Sequence, residues 1–274
     1  MWENRGCSFS QKRKEACMAI QGLPTEGREL AGQVALVTGG AKNIGRAISL
    51  ALAAAGAAVA VNTLRSREDA EAVVQEIRAR GGDAEVFTAD IADAAAVRAM
   101  GEGVMKRFGK IDILVLNASQ RREVLFKDMT FEEWRNTMSI TLDGSFHCIK
   151  ACLPSMLANR GGNIVTLGGD AVLLGGNRKA HNTTAKNGLV GLTRALAKEL
   201  AEDGIRVNCV SPGSINTTRP AHRSARVDPK GKIPLGRRGE AEEIAAVVRF
   251  LCGPGGGFIT GQTIHVNGGD LIFA

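Results

Sequence analysis

The 274-residue chain has no tyrosine, and aromatic residues make up only 4% of it. Nucleic-acid surfaces interleave stacking aromatics with their cations, so this scarcity argues against one. Long apolar runs are missing too. The longest, Ile48 to Val61, is interrupted by Gly56 and too short to cross a bilayer, and the N-terminus lacks the apolar core of a secretory signal. Neither membrane insertion nor export is expected, which places the chain in the cytoplasm. The six cysteines (Cys7, Cys17, Cys148, Cys152, Cys209 and Cys252) show neither metal-ligand pairing nor the density of a disulfide framework. Reduced thiols and no metal site are the reading, with Cys148 and Cys152 as packing residues at helical spacing. Internal repeats, low-complexity tracts and a second-domain boundary are absent as well.

Acidic residues are scarce in one place. The formal net charge is +7, and Ser214 to Arg238 holds seven cations (Arg219, Arg223, Arg226, Lys230, Lys232, Arg237, Arg238) against the single acid Asp228. The excess therefore belongs to one loop rather than to a stripe along the surface, a second argument against nucleic acid.

What is present is a strand, a glycine-rich turn and a helix. Val34-Ala35-Leu36-Val37 is a continuous apolar run of the kind buried on both faces, Thr38 to Arg46 reads Thr-Gly-Gly-Ala-Lys-Asn-Ile-Gly-Arg, and Ile44 to Ala55 has helical length and composition. Glycines at 39, 40 and 45 permit a tight turn and let backbone N–H groups approach a pyrophosphate at the helix N-terminus. Strands near 33–38, 57–62, 84–88, 111–117, 163–168 and 205–211 then alternate with helices near 44–55, 67–80, 92–108, 130–158 and 183–203. A last helix, 241–252, and a last strand, 263–266, follow. This alternation predicts an α/β fold, a doubly wound parallel sheet with helices on both faces, in a single domain spanning 31–274. Residues 1–30 lack periodicity and are expected to form a disordered or loosely attached extension, with Met18 as an alternative start. Leu189, Leu192, Leu196 and Leu200 make a stripe that must bury against the sheet or a partner. Together with Met138, Leu142 and Phe146 it suggests a homo-oligomer, a dimer or tetramer, with ordinary core packing as the competing account.

From Gln33 onward the chain resembles the short-chain dehydrogenase/reductase family, and its motifs match in order. Thr38-Gly39 through Gly45 resembles the family's cofactor loop, with Asn43 where the middle glycine usually stands. Asp90-Ile91 resembles the adenine contact, and Leu116-Asn117-Ala118-Ser119 an altered Asn-Asn-Ala-Gly signature. Pro212-Gly213-Ser214-Ile215-Asn216-Thr217 resembles the segment that holds the nicotinamide carboxamide, and Gly261-Gln262 with Val266-Asn267-Gly268-Gly269 the family's ending. The resemblance implies a Rossmann-like fold, an oxidoreductase, and a dinucleotide held by Gly39, Lys42, Asn43, Ile44, Gly45, Asn62, Arg65, Ser66, Asp90, Ile91, Asn117, Ala118, Lys186, Pro212, Gly213, Ile215 and Thr217. The second strand ends Val61-Asn62-Thr63-Leu64-Arg65-Ser66 without a carboxylate for a ribose 2′-hydroxyl, while Lys42 and Arg65 could reach a 2′-phosphate. NADP(H) is favoured, with NAD(H) as the alternative.

The family's catalytic set is a tyrosine four residues before a lysine, a serine about a dozen residues earlier, and an asparagine on the preceding long helix. Lys186 matches the lysine, but Asn182, Gly169 and Thr141 stand at the other three positions. Candidate substitutes are His181, whose ordinary pKa suits proton transfer, Asp170 beside the vacated serine position, and Asn182 as a hydrogen-bonding group. A helix-start role competes for His181, a cap or loop salt bridge for Asp170. Arg219 and Arg223, flanking His222, and Arg121 with Arg122 could grip a carboxylate, sulfonate or phosphate, the competing account being a solvated loop. The leading reading is an NADP(H)-dependent oxidoreductase acting on an anionic small-molecule carbonyl, alcohol or activated alkene. An alkene fits best, since its proton can come from water. A non-catalytic NADP(H)-binding sensor or partner subunit is the alternative, and lyase or isomerase chemistry with Lys186 or His181 as base a third.

Overall fold

The apolar runs and amphipathic stretches form alternating strands and helices, with two helices in succession between the fourth and fifth strands, in the computed structural model, which describes residues 27–120, 122–170, 175–218 and 232–272. In chain order these are β1 (Val34–Val37), α1 (Asn43–Ala54), β2 (Ala58–Thr63), α2 (Arg67–Ala79), β3 (Ala84–Thr88), α3 (Ala94–Phe108), β4 (Ile113–Leu116), α4 (Phe131–Met138), α5 (Gly144–Ala158), β5 (Gly162–Leu167), α6 (Ala180–Glu199), β6 (Ile205–Pro212), α7 (Ala241–Cys252) and β7 (Thr263–Val266). All seven strands are parallel, in the order β3-β2-β1-β4-β5-β6-β7. The chain therefore reverses its direction of travel between β1 and β4. At such a switch point the loops leaving two neighbouring strands turn to opposite faces and leave a crevice.

Alternation along β1 accounts for the two cores. Ala35 and Val37 face a layer made with α1, α2 and α7, whereas Val34 and Leu36 face one made with α3, α5 and α6. Each face of the sheet is covered, which is why the central strands read as unbroken apolar runs. The leucine stripe of α6 divides: Leu189 and Leu200 are buried, while Leu192 and Leu196 are partly buried against the second core.

Three boundaries differ from the sequence expectation. The helix expected over 130–158 is two helices joined by a π-turn at Ser139–Asp143. The helix expected to begin at 183 begins at Ala180, which puts His181 and Asn182 in its first turn. Residues 27–30, assigned to the loose extension, are docked: Leu30 is wholly buried, its N–H donates to Ala55 O at 2.8 Å, and Glu29 binds Arg249 at 2.6 Å. Residues 1–26 lie outside the described residues.

Candidate active site

The crevice is built by stitching the ends of β1 and β4. Thr38 Oγ1 donates to Val115 O and accepts from the N–H groups of Asn117 and Ala118, at 3.2, 3.0 and 3.1 Å. Asn117 Nδ2 donates to the carbonyls of Thr38 and Gly39, both at 3.0 Å. These bonds hold the glycine-rich turn against β4, and they leave no room at Gly45: a Cβ there would fall 2.0 Å from Gly39 O and 2.6 Å from Asn117 Nδ2. Asn43, at φ 49°, has the left-handed backbone that glycine adopts freely and asparagine tolerates best among other residues. That explains how it can replace the glycine of the pattern. Its Oδ1 accepts the N–H of Thr218 at 2.7 Å, tying the turn to the segment after β6. No side chain caps α1 and its first turn holds no acid, so its N-terminal N–H groups and positive dipole end are left to an anion.

A cleft of about 640 Å³ opens over this turn. It gathers Gly39, Lys42, Asn43, Ile44, Gly45, Asn62, Arg65, Ser66, Asp90, Ile91, Asn117, Ala118 and Thr217 from the expected cofactor set. A dinucleotide suits the site on two grounds, an uncapped helix N-terminus and a cleft lined along the glycine-rich turn by Gly39, Asn43, Ile44 and Gly45. Some members act as braces rather than contacts. Asn62 is buried with its amide committed, Oδ1 accepting from Gly39 N at 3.3 Å and Nδ2 donating to Phe87 O and Ala89 O at 3.2 Å each. Asp90 Oδ1 accepts the N–H of Ala92 at 2.9 Å, which fixes the turn beyond β3. At the β2 end Arg65 is exposed, and Lys42 Nζ lies 2.9 Å from Asp69 Oδ2 on α2. The sequence reading found no carboxylate there. Folding supplies one, because the first turn of α2 comes back beside the glycine-rich turn.

Beyond this cleft the expected residues are dispersed. Lys186 is buried and its Nζ donates to Leu167 O at the end of β5. Asn182 is half-buried, and its Oδ1 is enclosed without a hydrogen-bond partner. His181 is fully buried near the Arg122–Glu133 ion pair (3.2 Å), and neither ring nitrogen has a protein partner. Burial pushes its pKa down; Glu133 opposes that shift and Arg122 adds to it. Asp170, 5% exposed, turns away toward β6 and β7: Oδ1 accepts Ser211 Oγ and lies 3.0 Å from His265 Nδ1, and Oδ2 is buried without a partner. Gly169, at φ 158°, allows that turn, and Asp170 N donates to Pro212 O at 3.1 Å. Thr141 sits in the π-turn, buried, with Oγ1 3.3 Å from Ser119 Oγ.

At the end of β6 and just beyond it, Pro212 and Ile215 are buried and Gly213 N donates to Val266 O at 3.0 Å, so these three shape the backbone while Thr217 reaches the cleft. Of the expected substrate-binding residues, Arg122 is exposed and held by Glu133, whereas Arg121, Arg219 and Arg223, with His222, lie outside the described residues. The sequence reading missed Ser119, Gln120, Asn136, Ile140 and Thr218, all of which line the cleft. Ser119 ends the quoted Leu116-Asn117-Ala118-Ser119 signature and Thr218 follows Thr217, so both could have been included on that ground. Asn136 and Ile140 arrive through the packing of α4 and the π-turn, which no local pattern announces.

Residues 39–270 match the family model described as enoyl-(acyl carrier protein) reductase. The chain is 43% identical over 237 residues to the 3-oxoacyl-(acyl-carrier-protein) reductase FabG of Staphylococcus aureus, an alignment covering 86% of this chain and 96% of that one. A Brucella melitensis structure described as a short-chain dehydrogenase/reductase, glucose/ribitol dehydrogenase, superposes with a TM-score of 0.83 at 35% identity, covering 90% of this chain and all of that one. A short-chain dehydrogenase of Burkholderia cenocepacia, solved in complex with NADP, gives 0.82 at 34% identity, with 88% and 99% covered.

Proposed function

The chain belongs to the short-chain dehydrogenase/reductase family, and from that premise we propose that it is an NADP(H)-dependent oxidoreductase with a non-standard catalytic set. The observation that carries the cofactor is the cleft over an uncapped α1 N-terminus, with Lys42 and Arg65 at its β2 end. The NADP held by the Burkholderia relative supports the choice of nucleotide. Gly39 to Gly45 would hold the pyrophosphate, Asp90 and Ile91 the adenine, Lys42, Arg65 and Ser66 the 2′-phosphate, and Lys186 the nicotinamide ribose. Bound there, the nicotinamide supplies or accepts a hydride.

The remaining chemistry falls to this chain's side chains. With asparagine at the tyrosine position, no phenol can hand a proton to a substrate oxygen. Asn182 can donate or accept a hydrogen bond but cannot release a proton, and the adjacent His181, its pKa lowered by burial, is suited to accept a proton rather than to release one. Reducing a ketone demands a proton at the oxygen as the alkoxide forms. Hydride addition to a conjugated alkene gives an enolate instead, which solvent can protonate afterwards. The substrate we favour is accordingly an anionic carbonyl compound, alcohol or activated alkene. The named substrates of the relatives, 3-oxoacyl and enoyl chains, are carbonyl compounds and activated alkenes, while the anionic part rests on the basic run of the sequence, Arg122 itself being paired with Glu133. We further assign it a homo-oligomeric state and a cytoplasmic location, in keeping with the buried thiols of Cys148, Cys152, Cys209 and Cys252.

The deciding experiment follows NADPH absorbance over a panel of anionic 3-oxoacyl and enoyl thioesters. Turnover is expected with the native chain, falling about 100-fold or more in Lys186→Ala. Tight NADPH binding with no turnover on any member would instead favour a cofactor-binding protein without catalysis, the second reading, which Gly169 and Asn182 at the serine and tyrosine positions motivate.

A further inference from the structure

Resting on the NADP(H) reading above, we infer that Asp69 is a specificity-determining residue, a built-in competitor that tempers this site's preference for the phosphorylated nucleotide. Four observations converge on it. Lys42 lines the cleft as the residue preceding α1, yet its ammonium is turned to Asp69 Oδ2 at 2.9 Å. Glu71 and Glu76 of α2 are engaged elsewhere, Glu71 by Arg67 and Glu76 by both Arg46 and Arg80, and the remaining acid, Glu68, is exposed and makes no ion pair with any described residue. Arg65, the other cation at this end of the cleft, makes no hydrogen bond or ion pair with any described residue. Finally, β2 ends without an acid that could take a ribose 2′-hydroxyl.

The electrostatic consequence follows from charge and exposure. Both partners are about half exposed, 56% for Lys42 and 46% for Asp69, so the pair is weak and Lys42 can exchange one anion for another. A 2′-phosphate carries close to two negative charges and draws Lys42 and Arg65 toward itself. Bound there, it would leave Asp69 without its partner and beside a like charge that repels it. A 2′-hydroxyl imposes neither cost. Asp69 thus offsets part of the advantage that two cations give NADP(H) and leaves NAD(H) untouched. The sequence conceals this, since Asp69 stands 27 residues from Lys42 and reads as an ordinary first-turn acid.

Calorimetric titration of the full chain with NADPH and with NADH, for the native protein, Asp69→Asn, Asp69→Ser and Lys42→Ala, tests it. Both Asp69 variants keep a polar group in an exposed first turn, and thermal melts confirm that they fold. We expect NADPH to bind about two- to fivefold tighter in each, NADH to be unchanged, and the gain to shrink at high salt. Weaker NADH binding with NADPH unaltered would make Asp69 the hydroxyl's own partner and overturn the inference. Unchanged affinity for both nucleotides, with Lys42→Ala still weakening NADPH, would reduce the pair to a solvated surface contact and leave the cofactor reading standing. Failure of the native chain to bind either nucleotide would remove that reading, and the role of Asp69 with it.

Discussion

His181 concentrates the tension between stability and chemistry in one side chain. A buried imidazole without hydrogen-bond partners is held neutral, and burial is the leading cause of its lowered pKa. The unfolded chain therefore binds the proton more readily than the folded one, so stability is fully present above the ordinary histidine pKa of about 6.5 and is lost as pH falls through the lower folded value. Replacing the ring by the apolar, similarly shaped phenylalanine removes both the titration and two unsatisfied polar atoms, whose burial costs on the order of 1–3 kcal/mol each. In urea titrations His181→Phe should match or exceed the native protein at pH 7.5 and lose less stability by pH 5. Parallel losses in the two proteins would show that the ring does not couple to folding. Asn43 teaches a complementary lesson. As a letter in the sequence it departs from a glycine motif, but at φ 49° it is the substitution that the backbone tolerates best.

Secondary elements were legible wherever apolar periodicity is strong and local, and opaque where an element changes its winding. Every strand expected from the sequence is present within a few residues, because each is either an apolar run covered on both faces or a short edge. The helix expected over 130–158 fails at Ser139–Asp143, since the one-residue offset of a π-turn disturbs a spacing of three and four too little to see. The break matters because it buries Thr141 and sets its hydroxyl beside Ser119 at the cleft. Thr141 O also accepts Ser145 Oγ at 2.7 Å, one of the bonds that restart α5. Thr141→Val keeps the shape and deletes the buried hydroxyl; a cost of about 1 kcal/mol is expected, lowering Tm by roughly 2–4 °C in a calorimetric scan. An unchanged Tm would mean that the turn is held by its backbone alone. The cleft itself was read from its motifs, whereas Asn136 and Ile140 reach it, and Asp69 reaches Lys42 at its edge, through helix packing that has no signature in the local sequence.

At the scale of the whole molecule, both faces of the sheet are covered by helices, but one outer surface remains apolar. Helices α3 and α5 pack side by side and present Met105, Phe146 and Leu157 outward, 37%, 53% and 39% exposed. Charges are interleaved with them, Glu102 and Lys106 on α3 and Lys150 on α5, while Arg107 is drawn off to Asp83 and Glu85 at 2.6 and 2.8 Å. Three large apolar groups on adjacent helices are more than scattered surface residues require, and a second copy of the chain meeting the same pair of helices about a two-fold axis would bury all six at once. Such an interface is isologous, so one substitution acts twice. Phe146→Glu would place two carboxylates, one from each chain, against the apolar side chains of the facing copy with only Lys150 of each chain one turn away, a cost that should weaken the pair at micromolar concentration. Light scattering after gel filtration is expected to give at least twice the chain mass for the native protein and a smaller species for Phe146→Glu. Phe258→Glu, which alters a fully exposed ring next to β7, should leave that two-chain contact intact. If Phe146→Glu keeps the native mass while Phe258→Glu breaks it, the copies meet along the β7 edge instead, and the apolar face of α3 and α5 is not what holds them together.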